Sequence, residues 1–250
     1  MIAGPLSVRS LSLSLALALA ACLSPRAGAE ETLDHYAQTA LQDLSATAVL
    51  AQKSEPALKQ IGGGFEKGYR VERSALKLKE PGKVRVEGKY GLFNVVYVIN
   101  GDRKLTSVPT LHIRKVKDIS RRPGERQTSL DIGVITPSLL PQLNSQFVRY
   151  ETRGGKRLAV FDLWFKAEPG GRKHTVWIDP ATRTIVEHQV FHRKGGLKMR
   201  YLLQNPTRYA GGVWLPTRVE LFNAAGQLAA VTRYESVQVN AGLSESLFEF

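Results

Sequence analysis

Along most of the chain, apolar and polar residues alternate with a period of two, which is typical of strands that bury one face of a sheet. The run 157–166 shows this best, because Ala159, Phe161, Leu163 and Phe165 fall on one side of an extended chain. Turn sequences rich in glycine, proline and asparagine separate such runs and favour hairpins between them. The predicted strands are 70–79, 83–89, 93–99, 104–108, 146–152, 157–166, 172–179, 184–192, 197–204, 213–222 and 227–239.

One helix is predicted ahead of the strands. Apolar residues recur at about 3.6-residue spacing from Leu33 to Leu44, with Tyr36, Ala37 and Leu41 between them on the same face. This is the helix that we expect to open the folded domain.

The strands and turns together predict a mainly β fold with few helices. Neighbouring strands joined by short turns pair antiparallel, and about eleven of them in one sheet accumulate twist and curl into a barrel or part of one. Several strands have one apolar side, as in Val95, Tyr97 and Ile99. One helix and a few turns are too little to fill such a concave face, so we predict a cavity there.

The segment 118–145 interrupts this rhythm. It begins as a polar stretch with Arg121, Arg122 and Arg126, and it continues as an apolar run that Gly133 and Pro137 interrupt. Glycine and proline exclude a long helix, so short helical turns over an apolar surface are predicted. Two interpretations stay open, a lid insertion that gates the cavity and an ordinary connector that packs into the core.

The N-terminus has the pattern of an export signal. Arg9 precedes an apolar run at 11–21 that is too short to span a bilayer as a helix. A small-residue site ending at Ala29 predicts a signal peptide at 1–29 and a periplasmic protein whose residues 30–250 form a single domain. The sequence around Cys22 also resembles a lipobox, and the alternative is a 1–21 leader followed by an outer-membrane lipoprotein with lipidated Cys22.

Composition narrows the class of partner. The chain has a net charge of +13 and a single cysteine, so no disulfide is expected. In an exported protein such an excess favours anionic lipid head groups or acidic envelope polymers, and we expect no nucleic acid as a partner. A generally basic composition without any partner is the alternative.

No catalytic or metal-binding pattern stands out. The five histidines are scattered, and His188 and His192 would lie about 13 Å apart on one strand, too far to share a metal. None of the usual nucleophile, zinc or nucleotide motifs occurs. We therefore expect no enzyme, no metal site and no cofactor.

Short motifs in a fixed order resemble a known family over about residues 70–250. They are 76–86 in the first half and, in the second, Val176-Trp177-Ile178-Asp179-Pro180, Asn205-Pro206, Val213-Trp214-Leu215-Pro216-Thr217, Ala225-Gly226 and 237–248. Their order is similar to that of the LolA-like superfamily of outer-membrane lipoprotein-sorting proteins. The resemblance implies an open, strongly curved antiparallel sheet, a half-barrel covered by helices, with lipoprotein acyl chains or other lipids between them.

Two functional hypotheses follow. The first is a monomeric periplasmic carrier that holds lipid or lipoprotein acyl chains in an apolar cavity, in outer-membrane lipoprotein sorting or envelope lipid transport. The alternative is an envelope sensor or interaction module that binds a protein partner through its basic surface. The predicted cavity residues are Val95, Tyr97, Ile99, Ile132, Ile135, Leu139, Leu140, Phe161, Leu163, Phe165 and Leu215, and the predicted head-group contacts are Arg121, Arg122 and Arg126.

Overall fold

The structure, a computed structural model, describes residues 31–62, 65–122 and 126–250. The predicted signal peptide at 1–29 and the alternative lipidation of Cys22 lie outside these residues. Within the described ranges, no helix has the length and apolar character needed to cross a membrane.

A single antiparallel sheet of thirteen strands forms the framework. Its elements are β1 (Asp43–Lys53), α1 (Glu55–Ile61), α2 (Phe65–Gly68), β2 (Arg73–Lys79), β3 (Lys83–Tyr90), β4 (Phe93–Asn100), β5 (Arg103–Val108), β6 (Ile113–Asp118), β7 (Leu143–Arg153), β8 (Lys156–Phe165), β9 (His174–Asp179), β10 (Thr184–Phe191), β11 (Leu197–Arg208), β12 (Trp214–Asn223) and β13 (Leu228–Val239). The strand order is β6-β5-β4-β3-β2-β1-β13-β12-β11-β10-β9-β8-β7. The sheet is open, because the two outermost strands, β6 and β7, do not pair with each other.

The eleven predicted strands are all present, but the predicted opening helix is wrong. Only Leu33–Tyr36 form a helical turn, of the 3-10 type, and β1 begins at Asp43. Leu44, Ala46 and Ala48 alternate onto one face of β1, which pairs with β2 on one side and β13 on the other. Hydrogen bonding to β2 on one side and β13 on the other pairs the backbone of β1, and this outweighs the helical spacing of the apolar residues.

The second unpredicted strand is β6. Its six residues are all exposed, and four of them are charged. The strand lies at the sheet edge and pairs only with β5. An edge strand that buries neither face needs no apolar alternation, so the sequence pattern carries no signal for it. With β1 and β6 added, the count of about eleven strands is corrected to thirteen.

The sheet is strongly curved. Lys104 on β5 and Phe165 on β8 lie near opposite edges of the strand order, yet both line the same cavity. The face that curls around this cavity is called the inner face here. Sheets of this size cannot stay flat because strand twist accumulates, as the sequence predicts.

Short elements cover parts of the inner face. The hydroxyl of Ser54 accepts a hydrogen bond from the Ala57 N–H (3.5 Å) at the start of α1. Ala57, Leu58 and Ile61 of α1 then pack against the inner face of β10–β13. The remaining cover in the described ranges consists of α2, single 3-10 turns and irregular chain, so the predicted cover of helices is not confirmed.

Residues 128–142, called the middle segment here, lie on the inner face of β8–β10. It forms 3-10 turns at Ser129–Ile132 and Leu140–Gln142, in agreement with the predicted short helical turns. Its Leu130, Ile135 and Leu139 pack in one buried cluster with side chains of β8, β9 and β10. Gly133 has a φ of +83° beside the Leu203 and Pro216 side chains, a place where a Cβ atom would collide with both. This segment therefore fills one part of the inner face.

The C-terminal segment covers part of the opposite, outer face. Phe248 is fully buried against Val98 and Leu105 of β4 and β5. The Arg85 guanidinium donates to the Leu247 carbonyl oxygen (2.8 Å), and the Asp43 carboxylate accepts hydrogen bonds from backbone N–H groups of the segment that follows β13. The segment leaves the inner face clear.

Candidate functional site

A cavity of about 680 Å³ lies on the inner face. It is bounded by the sheet, by α2 with Tyr69, and by residues 126–131, which enter the middle segment. The aliphatic and phenyl side chains of its wall are Ala48, Leu50, Phe65, Val71, Val86, Val95, Leu130, Phe165, Val190 and Val219. This volume falls within the range of about 300 to 1,000 Å³ of small-molecule pockets, whose walls are mostly apolar in the same way.

Four rings form a ladder across the cavity wall. Phe165, His174, His188 and Tyr201 come from the adjacent strands β8, β9, β10 and β11. The ring centroids of the two histidines are 5.1 Å apart, and those of His188 and Tyr201 are 5.5 Å apart, both in stacked geometry. The His174 Nδ1 and His188 Nε2 atoms are 2.8 Å apart, so one ring donates to the other.

Burial keeps both histidines neutral near pH 7. It lowers the pKa of His174 to about 4, helped by the nearby Arg172 charge. Burial also lowers the pKa of His188 far below its usual range, and the neighbouring His174 adds to this. A neutral pair needs one donor and one acceptor at the shared hydrogen bond, which is the arrangement that the 2.8 Å contact requires.

The histidine pair makes a prediction about acid stability. The pKa of His174 is about 4 in the folded chain and about 6.5 in the unfolded chain. Between pH 6.5 and 4 the unfolded chain therefore binds more protons than the folded chain, and the free energy of unfolding falls as the pH drops. A His174→Gln variant should show a shallower fall, by on the order of 2 kcal/mol across the window. Urea unfolding followed at several pH values measures it.

The exposed His192 supplies the matched control for this experiment. His192→Gln removes the same ring from the surface and should leave the slope of stability against pH unchanged. Equal slopes for wild type and His174→Gln would contradict the assignment of His174 as a buried neutral group.

Two carboxyl groups line the cavity, Glu168, which forms an ion pair with Arg193, and Asp131, which lies among tyrosines. The side chain of Asp131 accepts a hydrogen bond from the Thr128 N–H (2.8 Å) in a capping box at the Ser129–Ile132 turn. Desolvation by the surrounding protein raises the pKa of Asp131 to about 6, although solvent in the cavity reaches part of the residue. Burial likewise raises the pKa of Tyr234, and the Asp131 charge adds to this. The cavity wall thus combines an apolar surface with a few polar groups.

Three cationic side chains border the cavity. They are Lys104 on β5, Arg126 before the middle segment and Arg172 before β9. Arg126 forms an ion pair with Asp102 and donates to the Gln142 side-chain oxygen (3.2 Å), while its Nε atom is buried without a hydrogen-bond partner among the described residues. Positive charges beside an apolar cavity suit a ligand with an anionic head and an apolar tail.

The structure places the predicted site residues in three groups. Val95, Tyr97, Phe165 and the predicted head-group residue Arg126 line the cavity, whereas Arg121 and Arg122 are exposed outside its wall. Side chains that lie in the packed core of the inner face instead of on the cavity wall are Ile99, Ile132, Ile135, Leu139, Phe161, Leu163 and Leu215, with Leu140 partly buried against the same core. They leave the wall because the apolar side chains of the middle segment pack against the strand residues, in one cluster together with the Leu33–Tyr36 turn and in a second cluster around Ile99 and Leu215.

The sequence analysis missed the polar part of the wall. The alternation of β9 and β10 does carry a signal, because it places His174 on the same face as Val176 and His188 on the same face as Val190. The β-bulge between Ile185 and Glu187 then shifts the register, so that His188 pairs with Val176 and Val190 pairs with His174, and the two histidines take diagonal positions on one face. Asp131 and the tyrosines have no such local signal, since they come together only through the curvature of the sheet.

The described residues contain no group of three or more histidine, cysteine, aspartate or glutamate side chains placed to hold a metal ion. What the cavity offers chemically is an apolar volume, hydrogen-bonding groups at the ring ladder, and cations at its border. These are features of a binding site.

Comparison with solved structures identifies the fold. A putative outer-membrane lipoprotein-sorting protein domain from Vibrio parahaemolyticus aligns over 87% of this chain and 93% of its own, with a TM-score of 0.60 and 16% identity. A DUF1329 family protein from Desulfovibrio piger aligns over 87% and 92%, with a TM-score of 0.55 and 13% identity. A LolA superfamily protein from Nitrosomonas europaea aligns over 84% and 90%, with a TM-score of 0.55 and 14% identity.

At these identities the likeness concerns the fold, and the predicted resemblance to LolA-like proteins is confirmed at that level. No family model matches the chain, and no curated protein matches it significantly.

Proposed function

We propose that this chain, which has a LolA-like fold, is a periplasmic carrier that binds lipid or lipoprotein acyl chains in its inner cavity. The observation that supports the proposal most is the cavity of about 680 Å³ between the curved sheet, α2 and the start of the middle segment. It stays open although the rest of the inner face is packed with the chain's own side chains.

The energetics favour an acyl chain as the ligand. Each methylene group that moves from water into an apolar cavity gains about 0.8 kcal/mol. A long acyl chain therefore gains on the order of 10 kcal/mol before the entropy cost of ordering it. The cations at the cavity border can hold a phosphate or carboxylate head group while the tail lies among Val95, Phe165 and Val219.

Binding needs no covalent step. The buried histidines are neutral, and each commits one ring nitrogen to the hydrogen bond that they share. We infer that the protein is not an enzyme and that it acts as a monomer in outer-membrane lipoprotein sorting or in envelope lipid transport. A periplasmic location follows from the predicted signal peptide.

Native mass spectrometry of the protein purified from bacterial envelopes tests the proposal. We expect a population with added mass that corresponds to a lipid or an acylated peptide, and micromolar or tighter binding of a fluorescent fatty acid by the stripped protein. Protein that carries no lipid and binds no such probe at any accessible concentration would instead favour the alternative, an envelope sensor or interaction module with a protein partner.

A further inference from the structure

Three tyrosines and one carboxylate form a polar part of the cavity wall. Tyr201 on β11, Tyr234 on β13 and Tyr69 after α2 line the cavity together with Asp131 of the Ser129–Ile132 turn. Burial raises the pKa of each tyrosine, and the charge of Asp131 adds to this at all three. The three hydroxyls therefore lie close enough to the carboxylate to interact with it electrostatically. We call these four residues the tyrosine–aspartate cluster.

The cluster has hydrogen-bonding capacity that the chain itself does not use. The Asp131 Oδ2 atom accepts a hydrogen bond from the Thr128 N–H (2.8 Å), but no described residue donates to Oδ1 or forms an ion pair with the carboxylate. The hydroxyls of Tyr69 and Tyr234 likewise have no hydrogen-bond partner within the described ranges. A carboxylate and several hydroxyl oxygens around one cavity can accept hydrogen bonds from a ligand with several N–H donors.

The charges of the cavity wall leave Asp131 open to a cationic group. The second carboxylate of the wall, Glu168, is already paired with Arg193. Arg126 lines the cavity on the same short stretch of chain as Asp131, and its Nε atom is buried without a hydrogen-bond partner among the described residues. The stretch 126–131 thus offers a cation for a phosphate and a carboxylate for an ammonium group.

We propose that the tyrosine–aspartate cluster binds the ammonium group of a phosphoethanolamine head, so that the cargo of this cavity is an aminophospholipid. A primary ammonium has three N–H donors, which match the carboxylate and the tyrosine hydroxyls, whereas a quaternary ammonium has none. The phosphate of the same head group faces Arg126, and the acyl chain lies among Phe165 and Val219. The inference rests on the proposed carrier function and adds a head-group preference, which an apolar cavity alone does not give.

Helix capping accounts for only part of the position of Asp131. The capping box needs an acceptor for the Thr128 N–H, and a neutral asparagine supplies one as well as an aspartate does. Capping gives no reason for a charge among buried tyrosines, where desolvation raises the pKa of the carboxyl to about 6. An ammonium group beside the carboxylate would offset this desolvation.

A series of single-chain lipids tests the head-group preference by displacement of the fluorescent fatty acid, below the critical micelle concentrations. Wild-type protein should bind lysophosphatidylethanolamine about tenfold more tightly than its N-acetyl derivative, which keeps the phosphate and the acyl chain but loses the positive charge. Lysophosphatidylcholine should also bind more weakly, because its ammonium has no N–H donor. A long-chain alkylamine has the ammonium without the phosphate and should bind more weakly too, and equal affinity would overturn the assignment to a phospholipid.

A pair of carboxylate variants tests the role of the charge. Asp131→Asn removes the charge and keeps an acceptor for the Thr128 N–H, and it should weaken the binding of lysophosphatidylethanolamine about tenfold. Its affinity for the anionic N-acetyl derivative should be unchanged or higher, because a carboxylate in the cavity repels an anionic head group. Glu168→Gln is the matched control, since it removes the same charge from the cavity wall at a place where Arg193 already pairs with it.

A pair of tyrosine variants tests the hydroxyl groups. Tyr234→Phe removes one acceptor and should weaken the binding of lysophosphatidylethanolamine about fivefold, with no effect on the N-acetyl derivative. Tyr97→Phe is its control, because Tyr97 lines the cavity from β4, which β3, β2 and β1 separate from β13. Tyr97→Phe should keep the preference of the wild type.

Equal affinity of the wild type for lysophosphatidylethanolamine and its N-acetyl derivative would overturn the proposal. Equal losses of preference in Asp131→Asn and Glu168→Gln would also overturn it, because a general charge effect would then explain both. Circular dichroism checks the fold of each variant, and the lipid series with Tyr234→Phe still decides if Asp131→Asn does not fold. Tight binding of the fatty-acid probe without any head-group preference would contradict this inference alone, whereas a lack of probe binding would contradict the carrier function as well.

Discussion

An Ala48→Trp variant should lose most of its affinity for a fluorescent fatty acid while keeping its fold. Ala48 lies on the inner face of β1 and lines the cavity, so an indole there occupies the volume that an acyl chain would need. Displacing a few methylene groups costs about 2 kcal/mol, which is roughly thirtyfold in affinity. Titration with the probe measures the affinity, and circular dichroism shows whether the sheet is intact.

The adjacent residue provides the control for this variant. Thr47 points to the outer face of β1, so Thr47→Trp adds the same ring to the same strand without entering the cavity. Its probe affinity should equal that of the wild type. If Ala48→Trp bound the probe as tightly as Thr47→Trp does, the cavity would not be where the ligand lies.

A second large effect is expected from Phe161, which lies in the packed core beneath the middle segment. Its ring makes edge contacts with Tyr36 and Phe147, each 5.5 Å away between centroids, and 1% of the residue is exposed. Phe161→Ala should lower the free energy of unfolding by about 3 to 5 kcal/mol because the neighbours can only partly fill the hole. The folded protein should keep its probe affinity, which urea unfolding and probe titration measure separately.

Phe165→Ala, on the same side of the same strand, should weaken probe binding more than it lowers the free energy of unfolding. Phe165 is partly buried and lines the cavity, with its ring 5.5 Å from that of His174. Its removal takes away apolar wall area, so the loss should appear mainly in probe affinity. A Phe161→Ala protein of normal stability that cannot bind the probe would place the lipid space under the middle segment instead.

Hydrogen exchange with and without lipid addresses whether the middle segment is a lid. Leu130, Ile135 and Leu139 are buried against β8–β10, while Asp131 and the backbone before it border the cavity. We expect any ligand-dependent change in hydrogen exchange to concentrate at 126–131, next to the cavity, with little change near Ile135 and Leu139. Uniform protection along the whole segment with and without lipid would exclude gating by it.

The sequence by itself determined where most strands lie. Period-two alternation and the glycine- or proline-containing turns depend only on neighbouring residues, so β2 to β5 and β7 to β13 could be read directly. Strand parity also separated the inner side of β8, with Ala159 and Phe161, from the outer side, with Leu158 and Val160. Curvature followed from the number of strands and their turns.

Local spacing failed where long-range pairing decides the conformation. The apolar residues between Leu33 and Leu44 have helical spacing, but β2 and β13 offer hydrogen-bonding partners on both sides of β1 and hold it extended. The spatial neighbours of β1 come from opposite ends of the domain, which no local pattern records. β6 carried no signal for a different reason, because its only partner is β5 and it buries neither face.

Only the tertiary structure decided which part of the inner face is cavity and which is core. Phe161 and Phe165 point to the same side of β8, yet the Leu33–Tyr36 turn covers Phe161 whereas Phe165 faces the cavity. The gathering of His174, His188 and Asp131 in that volume depends on the curl of the sheet and on the path of the middle segment across it. Strand periodicity tells which face a side chain points to, whereas the packing of distant segments tells what it meets there.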